Sequence, residues 1–122
     1  MSMTRFQRSA QIWPILVLSA RSQKLISYTT VERLTGLPRK AAGLALWPIY
    51  HYCTQNQFPV LTSLVISEID GKPKDGLGDA TDDGAIFTAQ ARTFVFDWLG
   101  QSTPTPEHFE QAWVQRPNQD SD

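Results

Sequence analysis

Cysteine is all but missing from this chain: Cys53 stands alone. A single thiol excludes a disulfide framework, and it cannot by itself build a multi-cysteine zinc site. Histidine is nearly as scarce, with only His51 and His108. No apolar run approaches the roughly 20 residues that a membrane-spanning helix needs. Carboxylates are missing from one end: the first fifty residues contain Glu32 and no other acid, against Arg5, Arg8, Arg21, Lys24, Arg33, Arg39 and Lys40. From residue 51 onward the balance inverts, with Lys72, Lys74, Arg92 and Arg116 against eleven carboxylates. The halves therefore carry about +6 and −7, and the formal net charge of −1 conceals a polarised molecule. Such asymmetry points either to a polyanionic partner for the basic half or to neutralisation of one half by the other.

What is present fits one domain. A chain of 122 residues can bury a real core without a disulfide or a structural metal. The stretch from Ala10 to Ala20 follows Arg5 and Arg8 in the manner of a secretory leader, but Gln11 and Pro14 interrupt its apolar run and Leu18 is poorly suited to a cleavage site. The expected location is cytoplasmic. Residues 1–114 are expected to form the domain, and residues 115–122 a disordered acidic tail.

Punctuation by Pro, Gly, Ser and Thr divides the chain. The spacing predicts a helix over 13–21, with Pro14 in its first turn, and a short β-leaning segment from Leu25 to Tyr28. Thr29 and Glu32 have capping-box spacing, and Gly36 supplies a helix stop. Pro38 then opens a helix toward Asn56, which Pro48 must kink or split. On it Leu37, Ala41, Leu44, Ala45, Ile49 and Tyr52 form an apolar stripe, opposite Arg39, Gly43, Trp47, Tyr50 and Thr54. Val60 to Ser67 reads as a strand, and Asp70-Gly71 as a hairpin turn whose returning arm contains Pro73. Residues 70–84, with four glycines and five aspartates, read as a loop. Phe87, Ala91, Phe94, Val95, Trp98 and Leu99 predict an inward helical face closed by Gly100. Thr105 and Pro106 open a last helix that turns Phe109, Ala112 and Trp113 inward.

A short strand, two helices joined by a tight turn and a hairpin make up the element order of a winged helix-turn-helix, whose second helix fits a major groove. The expected class is α+β, mostly helical, with that core and two C-terminal helices. Tyr28, Thr29, Arg39 and Lys40 stand at the entrances of the paired helices, where free N–H groups and basic side chains attract phosphates. Gly43 and Trp47 lie further along the second helix, and Lys72 and Lys74 on the expected wing. These eight are the candidate nucleic-acid-binding residues: the basic groups would neutralise phosphates, and an aromatic ring could stack on a base.

Ile26-Ser27-Tyr28, Val31, Leu34 to Pro38, Ala41 to Leu46 and the later run Phe58 to Val65 with Gly71 resemble the DNA-binding module of O6-alkylguanine-DNA alkyltransferases and alkyltransferase-like proteins. The resemblance covers residues 26–78. It implies a winged-helix fold and gives Tyr28 the part of that family's phosphate-contacting tyrosine. The family's Pro-Cys-His-Arg core is absent, since Thr62 and Ser63 stand near the place of the alkyl-accepting cysteine. Its base-displacing arginine falls on Ala42. Alkyl transfer is thereby excluded.

Other chemistry finds little support. His51 and Cys53, two apart, point in different directions on a helix and cannot share one metal ion. Asp79, Thr81, Asp83 and Gly84 match the start of a calcium loop, but Gln90 occupies the position that requires a bidentate Glu. Gly71-Lys72-Pro73-Lys74 lacks the spacing of a phosphate loop. The expectation is a small non-enzymatic protein without metal or cofactor. It would bind nucleic acid, in the first place double-stranded DNA, or else serve as a protein-interaction or homodimerising module, away from the membrane.

Overall fold

Helix formation begins earlier than the apolar pattern indicates. In the computed structural model, which describes residues 3–75 and 82–117, Thr4 caps the first helix. Its hydroxyl accepts the Gln7 N–H at 3.1 Å while the Gln7 side-chain carbonyl oxygen accepts the Thr4 N–H at 2.8 Å. Helix α1 thus spans Arg5–Arg21, with Pro14 in its interior rather than its first turn. Strand β1, Ile26–Ser27, leads directly into α2, Tyr28–Thr35. Ser27, not Thr29, is the cap, accepting the Thr30 N–H at 3.1 Å. Gly36 ends α2 with φ at 76°, a conformation that strains any side chain carrying a Cβ, and its N–H donates to the Glu32 carbonyl.

Helix α3, Arg39–Gln55, runs unbroken through Pro48. Proline has no N–H, so the Leu44 carbonyl four residues earlier loses its helical donor. The Arg5 Nε of α1 supplies one at 2.6 Å, and the Ser9 hydroxyl adds another to the neighbouring Ala45 carbonyl at 2.6 Å. The buried residues of α3 are Ala42, Gly43, Ala45, Leu46, Pro48, Ile49, His51 and Cys53, so Gly43, expected on the opposite face, lies inside. Leu44, expected inside, is 47% exposed, because the buried face is rotated toward α1.

The expected strand from Val60 to Ser67 is mostly something else. Leu61–Leu64 winds into a 3-10 turn, and only Val65–Ile66 forms strand β2. The turn is held from α4, Asp83–Val95: Gln90 Nε2 donates to the Ser63 carbonyl at 3.0 Å and Thr93 Oγ1 to the Val60 carbonyl at 3.1 Å. β2 pairs in parallel with β1, with Ile26 opposite Val65 and Ser27 opposite Ile66. Parallel pairing requires a crossover, which α2 and α3 provide. The Asp70-Gly71 turn forms, closed by Gly71 N–H to Ser67 carbonyl and Ser67 N–H to Lys72 carbonyl bonds. No returning strand follows it among the described residues, so the expected hairpin is not made. Pro73 removes a donor from that arm, and Lys72 and Lys74 turn to carboxylates instead.

Helix α4 also differs from its apolar pattern. Ile86, Gln90 and Thr93 face inward, while Phe87, Val95 and Leu99 are 69%, 80% and 66% exposed. The helix stops at Val95, before Gly100, because Phe96 takes extended backbone and Trp98 Nε1 donates to the Thr93 carbonyl at the helix end. Helix α5, Pro106–Val114, begins where Thr105 and Pro106 predict. Its capping box is closed by His108, whose Nδ1 accepts the Thr105 N–H at 2.9 Å. Overall the described chain is mostly helical with a two-stranded parallel sheet. No helix among the described residues is long and apolar enough to cross a membrane.

One cluster of buried side chains joins these elements, with Ile12, Trp13 and Leu16 of α1 against Leu46, Ile49 and Cys53 of α3 and Phe109 of α5. Trp13 sits at its centre, edge-on to Tyr52 at 5.6 Å and to Trp98 at 5.7 Å. Leu16 is fully buried and Leu18 is 67% exposed on the same helix. Leu16→Ala is expected to cost about 2–5 kcal/mol in urea unfolding, and Leu18→Ala less than about 0.5 kcal/mol.

Candidate nucleic-acid interface

The turn between α2 and α3 builds the site. After Gly36, the Thr35 hydroxyl donates to the Val31 carbonyl at 2.6 Å and accepts the Leu37 N–H at 3.2 Å, fixing the chain as it enters α3. Leu37 is buried, and Pro38 occupies the cap position of α3 with extended backbone. Because proline has no side-chain acceptor, no side chain caps this helix, and its first-turn N–H groups keep their partial positive charge. Arg39 and Lys40, both exposed, add two full charges at the same point.

Arg39 stacks on Tyr28, its guanidinium carbon 3.8 Å from the ring centroid. Tyr28 is fully buried, and its hydroxyl donates to Asp75 Oδ2 at 2.6 Å. Burial, reinforced by this bond to a carboxylate, pushes the phenol well above its ordinary range. Gly43, one helical turn beyond Arg39, is the floor under the same carboxylate: a Cβ there would lie 2.8 Å from Asp75 Oδ2. Glycine inside this helix therefore permits a close approach. Tyr28, Arg39 and Gly43 thus meet in one place, with Asp75 as the fourth member.

The remaining candidates are distributed around this cluster. The Thr29 backbone N–H donates to Glu68 Oε2 at 3.2 Å, so a carboxylate already occupies the start of α2. Lys72 pairs with Asp83 at 3.2 Å, and Lys74 with Asp70. The Lys74 ammonium and the Lys72 backbone N–H hold the exposed Asp70 carboxyl below its usual range. Both ion pairs are solvent-exposed and weakly held, so either lysine can exchange its partner for a phosphate at small cost. Lys40 has no ion pair among the described residues.

Trp47 stands apart, about 12 Å along α3 from Arg39 at 1.5 Å per residue. It is half-buried, edge-on to Tyr50 at 5.6 Å and tilted over His51 at 6.3 Å. His51 in turn meets Trp113 of α5 at 5.7 Å. Trp113 carries Arg5 at 3.9 Å and Arg116 at 3.8 Å over its ring. This aromatic group fastens α5 to α3 and α1.

The other chemical groups stay separate. Cys53 is fully buried, its thiol pushed up to about 12 by desolvation, which makes it unreactive at neutral pH. Among the described residues no group of His, Cys, Asp or Glu is arranged to hold a metal ion. Asp82 caps α4 through the Ala85 N–H and Gln90 points into the core, while Asp79 and Thr81 of the calcium-loop reading lie outside the described residues. Residues 118–122 of the expected tail lie outside them as well, and Arg116, just before, packs on Trp113. Comparison with protein-family models, with curated proteins and with solved structures gives no match.

Asp75 and Glu68 are the members of the site that sequence reasoning missed. Gly43 in a helix interior signals a close contact, but nothing in the chain says which residue makes it. The raised Tyr28 phenol has a consequence for stability. The unfolded chain releases this proton near pH 10, where the folded chain retains it. Stability held below that pH is therefore lost as pH rises above about 10. Tyr28→Phe is expected to flatten the alkaline part of the stability profile, measured by urea unfolding at stepped pH.

Proposed function

We propose that this chain is a small non-enzymatic nucleic-acid-binding or regulatory protein whose α2–turn–α3 pair acts as a helix-turn-helix on double-stranded DNA. The observation that carries this reading is the uncapped start of α3 with Arg39 and Lys40 exposed upon it. Helix N-termini bind phosphates through free N–H groups, and the adjacent cations deepen the same potential. The Tyr28 position agrees with the phosphate-contacting tyrosine of the alkyltransferase-like module that residues 26–78 resemble. In this reading the loop from Ser67 to Lys74 takes the wing's place, contributing Lys72 and Lys74 to the DNA backbone. Backbone contact of this kind needs cations rather than a sheet, so the reading does not require a returning strand. The lone buried thiol fits a reducing, cytoplasmic site of action.

Phosphate binding releases counterions, so affinity must fall steeply with salt, by a slope of about 0.9 per phosphate contacted. Fluorescence anisotropy with a labelled duplex over a salt series measures that slope. Arg39→Ala combined with Lys40→Ala is expected to lower it by about 2, with weakening spread evenly over DNA sequences. Absence of binding at low salt, or an unchanged slope in the double variant, refutes the proposal.

A second reading, a protein-interaction or homodimerising module, draws on a different observation. Phe87, Ala91 and Val95 follow one another at four-residue steps along the exposed side of α4, and Leu99 lies just beyond. Exposed apolar rows of this kind mark contact surfaces. Light scattering coupled to size exclusion distinguishes the readings: an oligomer that persists at high salt and dissociates in Val95→Glu supports the second.

A further inference from the structure

We infer that Asp75 is a built-in counter-anion: in the unliganded protein its carboxylate holds the Tyr28 hydroxyl beside Arg39, and a nucleic-acid phosphate must displace it to bind. This inference rests on the DNA-binding reading above and adds a means of regulation to the same site. Three observations carry it. The Tyr28 hydroxyl, on a fully buried ring, is already committed to Asp75 Oδ2 at 2.6 Å. The carboxylate lies so close to α3 that a Cβ at position 43 would meet Asp75 Oδ2 at 2.8 Å and have to push it aside. And the Arg39 guanidinium carbon lies 3.8 Å from the Tyr28 ring centroid, so its charge borders the same spot while the side chain remains exposed.

A carboxylate and a phosphate ask for the same partners, a hydroxyl donor and a neighbouring guanidinium. They cannot share them, because two anions at contact distance repel. Asp75 therefore imitates the ligand from within the chain. It belongs to the acidic half, and its approach across α3 brings that half to the cluster of Tyr28, Arg39 and Gly43. The intramolecular contact sets a threshold: weak or isolated anions do not open it, whereas a duplex that also engages Lys40, Lys72 and Lys74 does. Modest affinity with enhanced discrimination for extended polyanions is the expected result.

Two variants break the contact from opposite sides. Asp75→Asn removes the charge and keeps the shape; Gly43→Ala keeps the charge and pushes the carboxylate off the helix. Glu110→Gln, an equal charge change on the exposed side of α5, serves as the control. Binding of a labelled duplex is measured by anisotropy, and helicity and thermal midpoint by circular dichroism. Both site variants are expected to bind about fivefold tighter or more, at the low end of couplings between competing sites, with the control changing by less than about twofold. If the wild-type protein binds with a steep salt dependence but both variants bind equally or more weakly, Asp75 is a structural prop and the inference fails while DNA binding stands. Loss of the fold in both variants likewise makes Asp75 a structural prop and overturns the inference. If neither the wild type nor the variants bind at low salt, the DNA-binding reading fails, and the counter-anion with it.

Discussion

Pro48 breaks the hydrogen-bond ladder of α3, and the rest of the arrangement depends on how that break is repaired. A backbone carbonyl that loses its helical donor must find another, in a side chain or in water. Here the Leu44 carbonyl is met by a charged donor, Arg5, and the neighbouring Ala45 carbonyl gains the Ser9 hydroxyl. Charge-assisted bonds are the stronger kind, so the repair also fastens α1 across α3 at a defined height. Arg5 does more, since its guanidinium lies over Trp113 and draws α5 into the same junction. The three helices that make up most of the core are registered at one point. The start of α3, which carries Arg39 and Lys40, lies further along the same helix.

The polarised charge of the sequence resolves into local arrangements rather than one seam. Two acidic residues of the second half reach the first half, and two others pair within their own. Glu68 covers the Thr29 N–H, Asp83 and Asp70 take Lys72 and Lys74, and Asp75 takes Tyr28. Each of these contacts lies along the side where β2 and its following loop pass α2 and α3. Arg39 and Lys40 are left without ion pairs among the described residues. Glu68 and Asp75 thus take an N–H and a hydroxyl of the basic half rather than a cation, and the Arg39–Lys40 part of that half is open to solvent. The open part coincides with a helix start, where its field is greatest.

Residues with conformational rules of their own make much of this fold legible in the sequence. Gly36, Pro38, Thr105 and Pro106 mark helix ends by backbone geometry that holds in any context, and those boundaries agree with the structure. Patterns of apolarity are less informative. In α4 Gln90 and Thr93 join Ile86 on the inward side, bonding to carbonyls of the Val60–Ser63 segment, while Phe87 and Val95 face outward. The same bonds overrule the β propensity of Val60 to Leu64 and wind it into a 3-10 turn. Pro14 has the character of a helix start, which conceals the two turns of α1 that carry Arg5 and Ser9. At the site, Tyr28, Arg39 and Lys40 can be read from type and position. Asp75 cannot, since it meets Tyr28 across 47 residues with no periodic pattern between them.

The manner in which Arg39 is held bears directly on what it can do. A guanidinium in a bidentate ion pair commits its charge and two of its N–H donors to one partner. Stacked on a phenol ring, it keeps both, because the ring's quadrupole attracts the face of the cation and leaves the N–H edge outward. The attraction is worth about 0.5–1 kcal/mol at an exposed position, comparable to a surface ion pair. It fixes the side chain without consuming its binding capacity, and so reduces the rotamer entropy that a ligand must later remove. Tyr28 can serve as such a platform only if its own hydroxyl is satisfied, since the ring is fully buried. Asp75 satisfies it, and Gly43 makes room for Asp75. The contact that restrains the site is therefore also the contact that keeps its main cation aligned, and an incoming phosphate that replaces the carboxylate would preserve the alignment while taking up the charge.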